Sequence, residues 1–394
     1  MFQAHTLYNA AAARRNTQDG WKETAFKVQQ AYWKDSVKAT YLEQKAITTS
    51  LKTELLEIRN EQRKQLEHVL KRVGEIKLLS HKTPEDDKWT KDFVSKVRVL
   101  SENCTDKLVA FAGRVIENSL QLVGDRVPCE FTAVAIGSLA RGEATSYSDL
   151  EYLFLIDKKT PETELFFEQL AMTTYFIIGN LSETKLRYMG IKELEGWFDD
   201  TSQNGFKIDG LACGAGNIPT GNDMDKPKNY FICTPQELGS RYKEILDNPS
   251  DESIRGALTA MLKFTVSIYS TGSDLLPELR SLITSLSPSL ARVEANKQML
   301  LHDFQKFDFA PSLKLHREQA YTIDVKRHIY RFPSILLLDL ATMHNVNGHM
   351  ACDTAMRLME HGKISAPFYQ SLILQLACAC YIRLSAYLYH DSHD

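Results

Sequence analysis

The sequence has no excess of charge of either sign: 47 Lys and Arg against 50 Asp and Glu leave a formal charge of −3. No overall field draws it to nucleic acid or to a lipid surface, so any polyanion has to be met by a local patch. Cysteine is sparse. The seven residues (Cys104, Cys129, Cys213, Cys233, Cys352, Cys378 and Cys380) are odd in number and form no Cys-x-x-Cys pair, which argues against both a disulfide framework and a zinc site. Long hydrophobic runs are missing as well: no stretch approaches the roughly 18 apolar residues of a membrane span, and the opening MFQAHTLYNAAAARRN lacks the basic start and apolar centre of a secretion signal. The expectation is a cytoplasmic chain with buried thiols and no membrane partner. Gly-x-Ser-x-Gly, the P-loop lysine motif and the dinucleotide glycine fingerprint are absent too, leaving acyl transfer and P-loop chemistry without support. His344 and His349, five apart in HNVNGH, are joined by no Cys or carboxylate in a ligand pattern.

What is present divides into three units, as expected for 394 residues, since single cores stop growing at roughly 250 to 300 residues. Residues 21 to 79 contain no proline, and Leu51, Leu55, Ile58, Leu66, Val69, Val73 and Ile76 recur at three- and four-residue steps among Lys, Glu and Gln. That stripe predicts a helical arm over 1–88, packed on the body of the chain or pairing as a coiled coil with a second copy or a partner. SHKTPEDDKW reads as a connector. Residues 89–240 begin with a helix to Gly124 and then turn to strands, FTAVAI, EYLFLI, GFKIDGLA and NYFICT, with a helix over 162–195 between them. From 241 to 394 the chain reads as helical to its end, GALTAMLKFTVSIYS included. The fold class is therefore α/β (α+β) with a mixed sheet, a long helical arm and an all-helical C-terminal domain.

The chemistry concentrates in AIGSLARGEATSYSDLEYLFLID, residues 135–157. TAVAI delivers the chain to Gly137-Ser138, where a glycine allows a sharp turn and close approach of a ligand. A helix starting there would turn its free N–H groups toward an anion, with the Ser138 hydroxyl as a further donor and Arg141 one turn away. Asp149 and Glu151, two apart on a strand, present both carboxylates to one face. Paired carboxylates repel unless a cation lies between them, and Mg²⁺ (or Mn²⁺) takes carboxylate and phosphate oxygens together. The run after Glu151 reads as buried on both faces, and carboxylates at the mouth of such a strand call for a reason.

Gly137-Ser138 followed by Ser148-Asp149-x-Glu151 resembles the signature of the DNA polymerase β-like nucleotidyltransferase superfamily. The form GSLARGEATSYSDLE is most similar to its PII-uridylyltransferase-like (GlnD-like) branch, which has Ser-Asp-x-Asp where this chain has Glu151; Ser-Asp-x-Glu also occurs in antibiotic nucleotidyltransferases. DVKRHIYRFPSILLLDLATMHNVNGHMACDTAMRLMEHGKIS resembles the helical domain of that branch, and CTPQELGSRY the segment joining its two domains. The likeness spans about residues 90 to 390 and leaves out the arm. It implies transfer of NMP from an NTP such as ATP to a hydroxyl, with loss of pyrophosphate. The triphosphate would be held by Gly137, Ser138, Arg141 and Ser148. Asp149, Glu151 and a third carboxylate on a later strand would hold the metals, with Asp209 the candidate and Asp199, Asp200 and Asp223 the alternatives. Lys326, Arg327 and His328 would face the cleft between domains, with Lys326 and Arg327 as further nucleotide-binding residues, and CGAGNIPTGN (213–222) is either a ligand-lining or a connecting loop. Near-neutral charge favours a protein or small-molecule acceptor over nucleic acid. The alternative is a nucleotide-binding scaffold, weak or inactive as a catalyst, that oligomerises or binds partners through its arm.

Overall fold

Two long helices lead into the sheet. In the computed structural model, which describes residues 27, 41–73, 84–124, 126–181, 183, 205–208, 231–247, 262–307, 325–348 and 350–390, helix α1 spans Tyr41–Val73 and α2 spans Pro84–Val123. The predicted connector ends earlier than its charges suggest, because PEDDKW forms the first turns of α2. Proline at the first helical position followed by acidic residues suits a helix N-terminus better than a linker. The stripe on α1 is turned inward: Leu51, Leu55 and Ile58 join the main core, Leu66 packs with Leu100 and Tyr387, and Val69 with Phe93 and Val97. Ion pairs Glu54–Arg114 and Glu61–Lys107 line the seam between α1 and α2.

The mixed sheet comprises β1 (Phe131–Ala135), β2 (Tyr152–Ile156), β3 (Ile232–Cys233) and β4 (Val266–Thr271) in the order β3-β2-β1-β4. β1 is antiparallel to both β2 and β4, and β2 is parallel to β3. Every residue of β1 and β2 is buried, with side chains alternating between two cores. Phe131, Ala133 and Ala135 of β1 and Tyr152, Phe154 and Ile156 of β2 share one core with α2 and with α4 (Pro161–Asn180). Val134, Leu153 and Leu155 face the other, covered by α5 (Pro235–Asp247) and α6 (Leu276–Ser285). The α4 helix starts where its sequence says: Thr160 caps it reciprocally with Thr163, and Pro161 opens it. The helix predicted over 162–195 ends at Asn180, with Leu181 as its C-cap, and Ser182 and residues 184–195 lie outside the described residues.

One expectation is corrected here. The run GALTAMLKFTVSIYS reads as helical in the sequence, yet Val266–Thr271 forms the edge strand β4, so the sheet takes its fourth strand from beyond residue 241. Val266, Ile268 and Tyr269 are residues that fit a pleated, half-buried surface, and that preference outweighs the helical character of the residues before them.

The helices that follow are α7 (Leu290–Phe307), a π-helix at Lys326–Tyr330, α8 (Arg331–Met343), α9 (Ala351–Glu360) and α10 (Ala366–His390). The short helix Gly137–Ala140 between β1 and β2 completes the set as α3. By length and composition α10 resembles a membrane span, with a mean hydropathy of 1.5 over its most apolar window. It spends that surface on protein: Leu372, Ile373 and Leu376 pack with α8 and α9, while Ala377 and Tyr381 meet Phe93 of α2. The described cysteines are all free thiols.

Candidate active site

Chain direction changes at the end of β1. Ile136 is still extended, and its N–H donates to the Glu151 carbonyl at 3.0 Å, holding the end of β1 against the start of β2. Gly137 then takes φ +70°, a left-handed conformation open to glycine at little cost. A Cβ there would collide with Glu151 Oε2, so the carboxylate is seated directly on the glycine turn. Glycine is required twice over. The α3 turn is only four residues long, closed by Arg141 N–H to the Gly137 carbonyl at 3.2 Å and Glu143 N–H to the Ser138 carbonyl at 3.0 Å. Ser138 is half-buried beside it.

Asp149 and Glu151 share the side of the strand that Leu153 and Leu155 continue, while Leu150, Tyr152 and Phe154 face the core beneath α2 and α4. Leu150 is itself paired: it bridges in parallel with Ile208 and donates its N–H to the Lys207 carbonyl at 2.7 Å. The segment 205–208 therefore runs alongside the carboxylate strand. Two ammonium groups approach Asp149, Lys326 Nζ at 3.4 Å from Oδ2 and Lys207 Nζ at 3.9 Å from Oδ1. Lys326 reaches there from the π-helix, whose widened turn also serves Tyr330; such helices recur at functional sites.

Other expected residues are engaged elsewhere. Arg141 is buried and donates through Nε to Glu143 Oε2 at 2.8 Å and through Nη2 to the Tyr330 hydroxyl at 3.2 Å. Burial works to lower its pKa, but Tyr330 and Glu143 together raise it above the usual guanidinium value. Glu143 Oε2 also accepts from the Tyr330 hydroxyl at 2.6 Å and from Ser334 Oγ at 2.9 Å, and the Arg141 carbonyl accepts the Ala351 N–H at 2.9 Å. The Arg-Gly-Glu triplet is thus the joint between the sheet and the C-terminal helices. Ser148 is fully buried, its Oγ accepting the Thr145 N–H at 2.9 Å and a bond from Arg383 Nη2 at 3.3 Å. The structure brings together Gly137, Ser138, Asp149, Glu151 and Lys326. Asp209, its three alternatives, the loop 213–222 and the Arg327 side chain lie outside the described residues.

As metal ligands, the two carboxylates supply the hard oxygen donors that Mg²⁺ or Mn²⁺ takes. Among the described residues no group of three or more His, Cys, Asp or Glu is arranged to hold a metal; Asp149 and Glu151 fit in donor type and would supply two of the ligands.

Residues 90–184 match the family model described as "Putative nucleotidyltransferase DUF294". The matched stretch runs from α2 through β1, the glycine turn and the carboxylate strand to the end of α4. It supports a nucleotidyltransferase domain with a general role in nucleotidyl transfer, and the mixed sheet under many helices agrees with such a fold. No curated protein matches the chain.

Sequence reasoning assigned no role to Glu143, Tyr330, Ser334 or Arg383, nor to Arg59, Gln62, Glu183 and Lys207. For Glu143 a signal existed, since an acid two residues from an arginine in an apolar setting invites pairing. Arg383 interrupts a long apolar helix, which marks it as a buried cation with a partner; it lies 4.2 Å over the Tyr330 ring.

Proposed function

We propose that the chain is a divalent-metal-dependent nucleotidyltransferase that moves NMP from an NTP to a hydroxyl on a protein or small molecule. One observation carries the reading: Glu151 is seated against the left-handed Gly137, with Asp149 on the same side of the strand, in a stretch that matches a nucleotidyltransferase model.

The Gly137 turn seats the Glu151 carboxylate, and Ser138, next along the turn, offers a hydroxyl toward the triphosphate. Asp149 and Glu151 would hold the metal, with Asp209 as the proposed third ligand. The metal would supply charge neutralisation at the triphosphate. Lys326 and Lys207, already beside Asp149, are placed to meet phosphate charge. The acceptor hydroxyl loses its proton to a site carboxylate as its oxygen bonds to the α-phosphorus. The bond from that phosphorus to the bridging oxygen breaks, and pyrophosphate leaves with the electron pair. Arg141 and Ser148 serve this reading by holding the motif in shape, since their polar atoms are spent on Glu143, Tyr330, Thr145 and Arg383.

Labelled NTPs, Mg²⁺ or Mn²⁺ and candidate acceptors test the reading. Wild type is expected to transfer label and release pyrophosphate, and Asp149→Ala to lose at least about 100-fold of that rate. Wild type that binds NTP yet transfers nothing would leave the scaffold reading in its place.

A further inference from the structure

Arg59, on α1 and outside the stretch that matches the family model, makes contacts that helix packing alone does not call for. Its side chain is almost fully buried and donates from Nη1 and Nη2 to the two oxygens of Glu183, each at 2.6 Å. Nη2 also donates to the Ser146 carbonyl at 3.3 Å, and the guanidinium lies 4.1 Å over the Tyr147 ring. One turn on, Gln62 Oε1 accepts the Ser146 N–H at 3.1 Å. Glu183 passes the grip forward: Oε2 accepts the Phe206 N–H at 2.8 Å, and its carbonyl accepts the Gly205 N–H at 3.0 Å. Gly205 leaves room for this pair, because a Cβ there would collide with Glu183 Oε2 and lie 2.9 Å from Arg59 Nη2.

A single cation thus holds both borders of Asp149. On one side is the loop through Ser146 and Tyr147 that leads into it. On the other is the segment 205–208, whose Lys207 carbonyl takes the Leu150 N–H and whose ammonium lies 3.9 Å from Asp149. Burying such a pair carries a desolvation cost and adds little net stability against an apolar equivalent, whereas it fixes register well. The cohesion of α1 comes from Leu51, Leu55 and Ile58, so orientation is what remains for Arg59 to supply.

We propose that Arg59 is a positioning residue for the candidate metal site: through Glu183 and Ser146, α1 fixes the two backbone segments that frame Asp149. The proposal rests on reading Asp149 as a metal carboxylate. Hydrogen–deuterium exchange and Mn²⁺ binding without nucleotide test it on the full chain, comparing wild type with Arg59→Lys and Glu183→Gln. Lysine retains the charge and cannot bind both oxygens in parallel. Exchange is expected to rise at least about tenfold over 145–150 and 205–208, with 131–135 unchanged and Mn²⁺ affinity reduced. Unchanged exchange over both segments in both variants, or an equal rise over 131–135, overturns the proposal. Wild type that binds no Mn²⁺ and transfers no NMP would sink the functional reading, while the exchange pattern by itself decides whether the clamp exists.

Discussion

At the scale of single residues, the site is defined by what glycine permits and what one glutamate accepts. Gly137→Ala places a Cβ into Glu151 Oε2 and forces a left-handed backbone on an L-residue, which alone costs about 1–2 kcal/mol. The expected result is a lower melting temperature together with loss of transfer, because Glu151 has to move; calorimetry and the label assay check both. Glu143 gathers Arg141, Tyr330 and Ser334 on one buried oxygen. Glu143→Ala removes the partner of a buried guanidinium and should destabilise the chain by about 3–5 kcal/mol in denaturant unfolding, far more than loss of the exposed pair Lys297–Glu294. Glu143→Gln, which retains an acceptor, is expected to fall between alanine and wild type.

At the scale of elements, legibility followed sequence distance. The glycine turn, the carboxylate strand and the two strands around them could be read because every feature lies within about twenty residues and the strands are the continuous apolar runs of a sheet buried on both faces. Helix α4 reads as helical from residue 162 in the sequence, and Thr160 and Pro161 open it in the structure. The pairs Arg59–Glu183 and Tyr330–Glu143 join residues 124 and 187 apart, and no local period marks such partners. β4 was hidden because its strand residues continue an apolar run of helical character. The residues just before β4 carry a further consequence. Lys263 is buried with its Nζ on the amide oxygens of Asn345, at 2.6 Å, and Asn347, at 2.9 Å, and burial lowers its pKa to about 8. Between pH 8 and the ordinary lysine value of about 10.4 the unfolded chain holds the extra proton, so stability rises with pH across that window. The gain is on the order of 3 kcal/mol. Melting curves from pH 7 to 10 should show it in wild type and lack it in Lys263→Met.

At the scale of the whole molecule, the question is whether α1 is an arm or a wall. Leu51, Leu55 and Ile58 lie in the same buried cluster as Phe111, Phe131 and Phe154, so the helix contributes to the core under the sheet. Leu51, Leu55, Ile58, Leu66 and Val69, the described part of the stripe that reads as a coiled-coil seam in the sequence, are therefore spent internally, and two outcomes separate the alternatives. If the stripe were a seam between copies, Leu55→Asp would produce a folded monomer with its sheet intact. Because Leu55 is 1 % exposed inside the chain's own core, Leu55→Asp is expected to abolish cooperative folding instead, since an unpaired carboxylate cannot be carried there. Leu55→Ala, a milder change, should cost about 2–5 kcal/mol and shift one common transition, followed alike by circular dichroism and by exchange in β1. Exchange protection lost in α1 alone, with β1 unaffected, would show a separable arm; loss of both together is what a shared core requires.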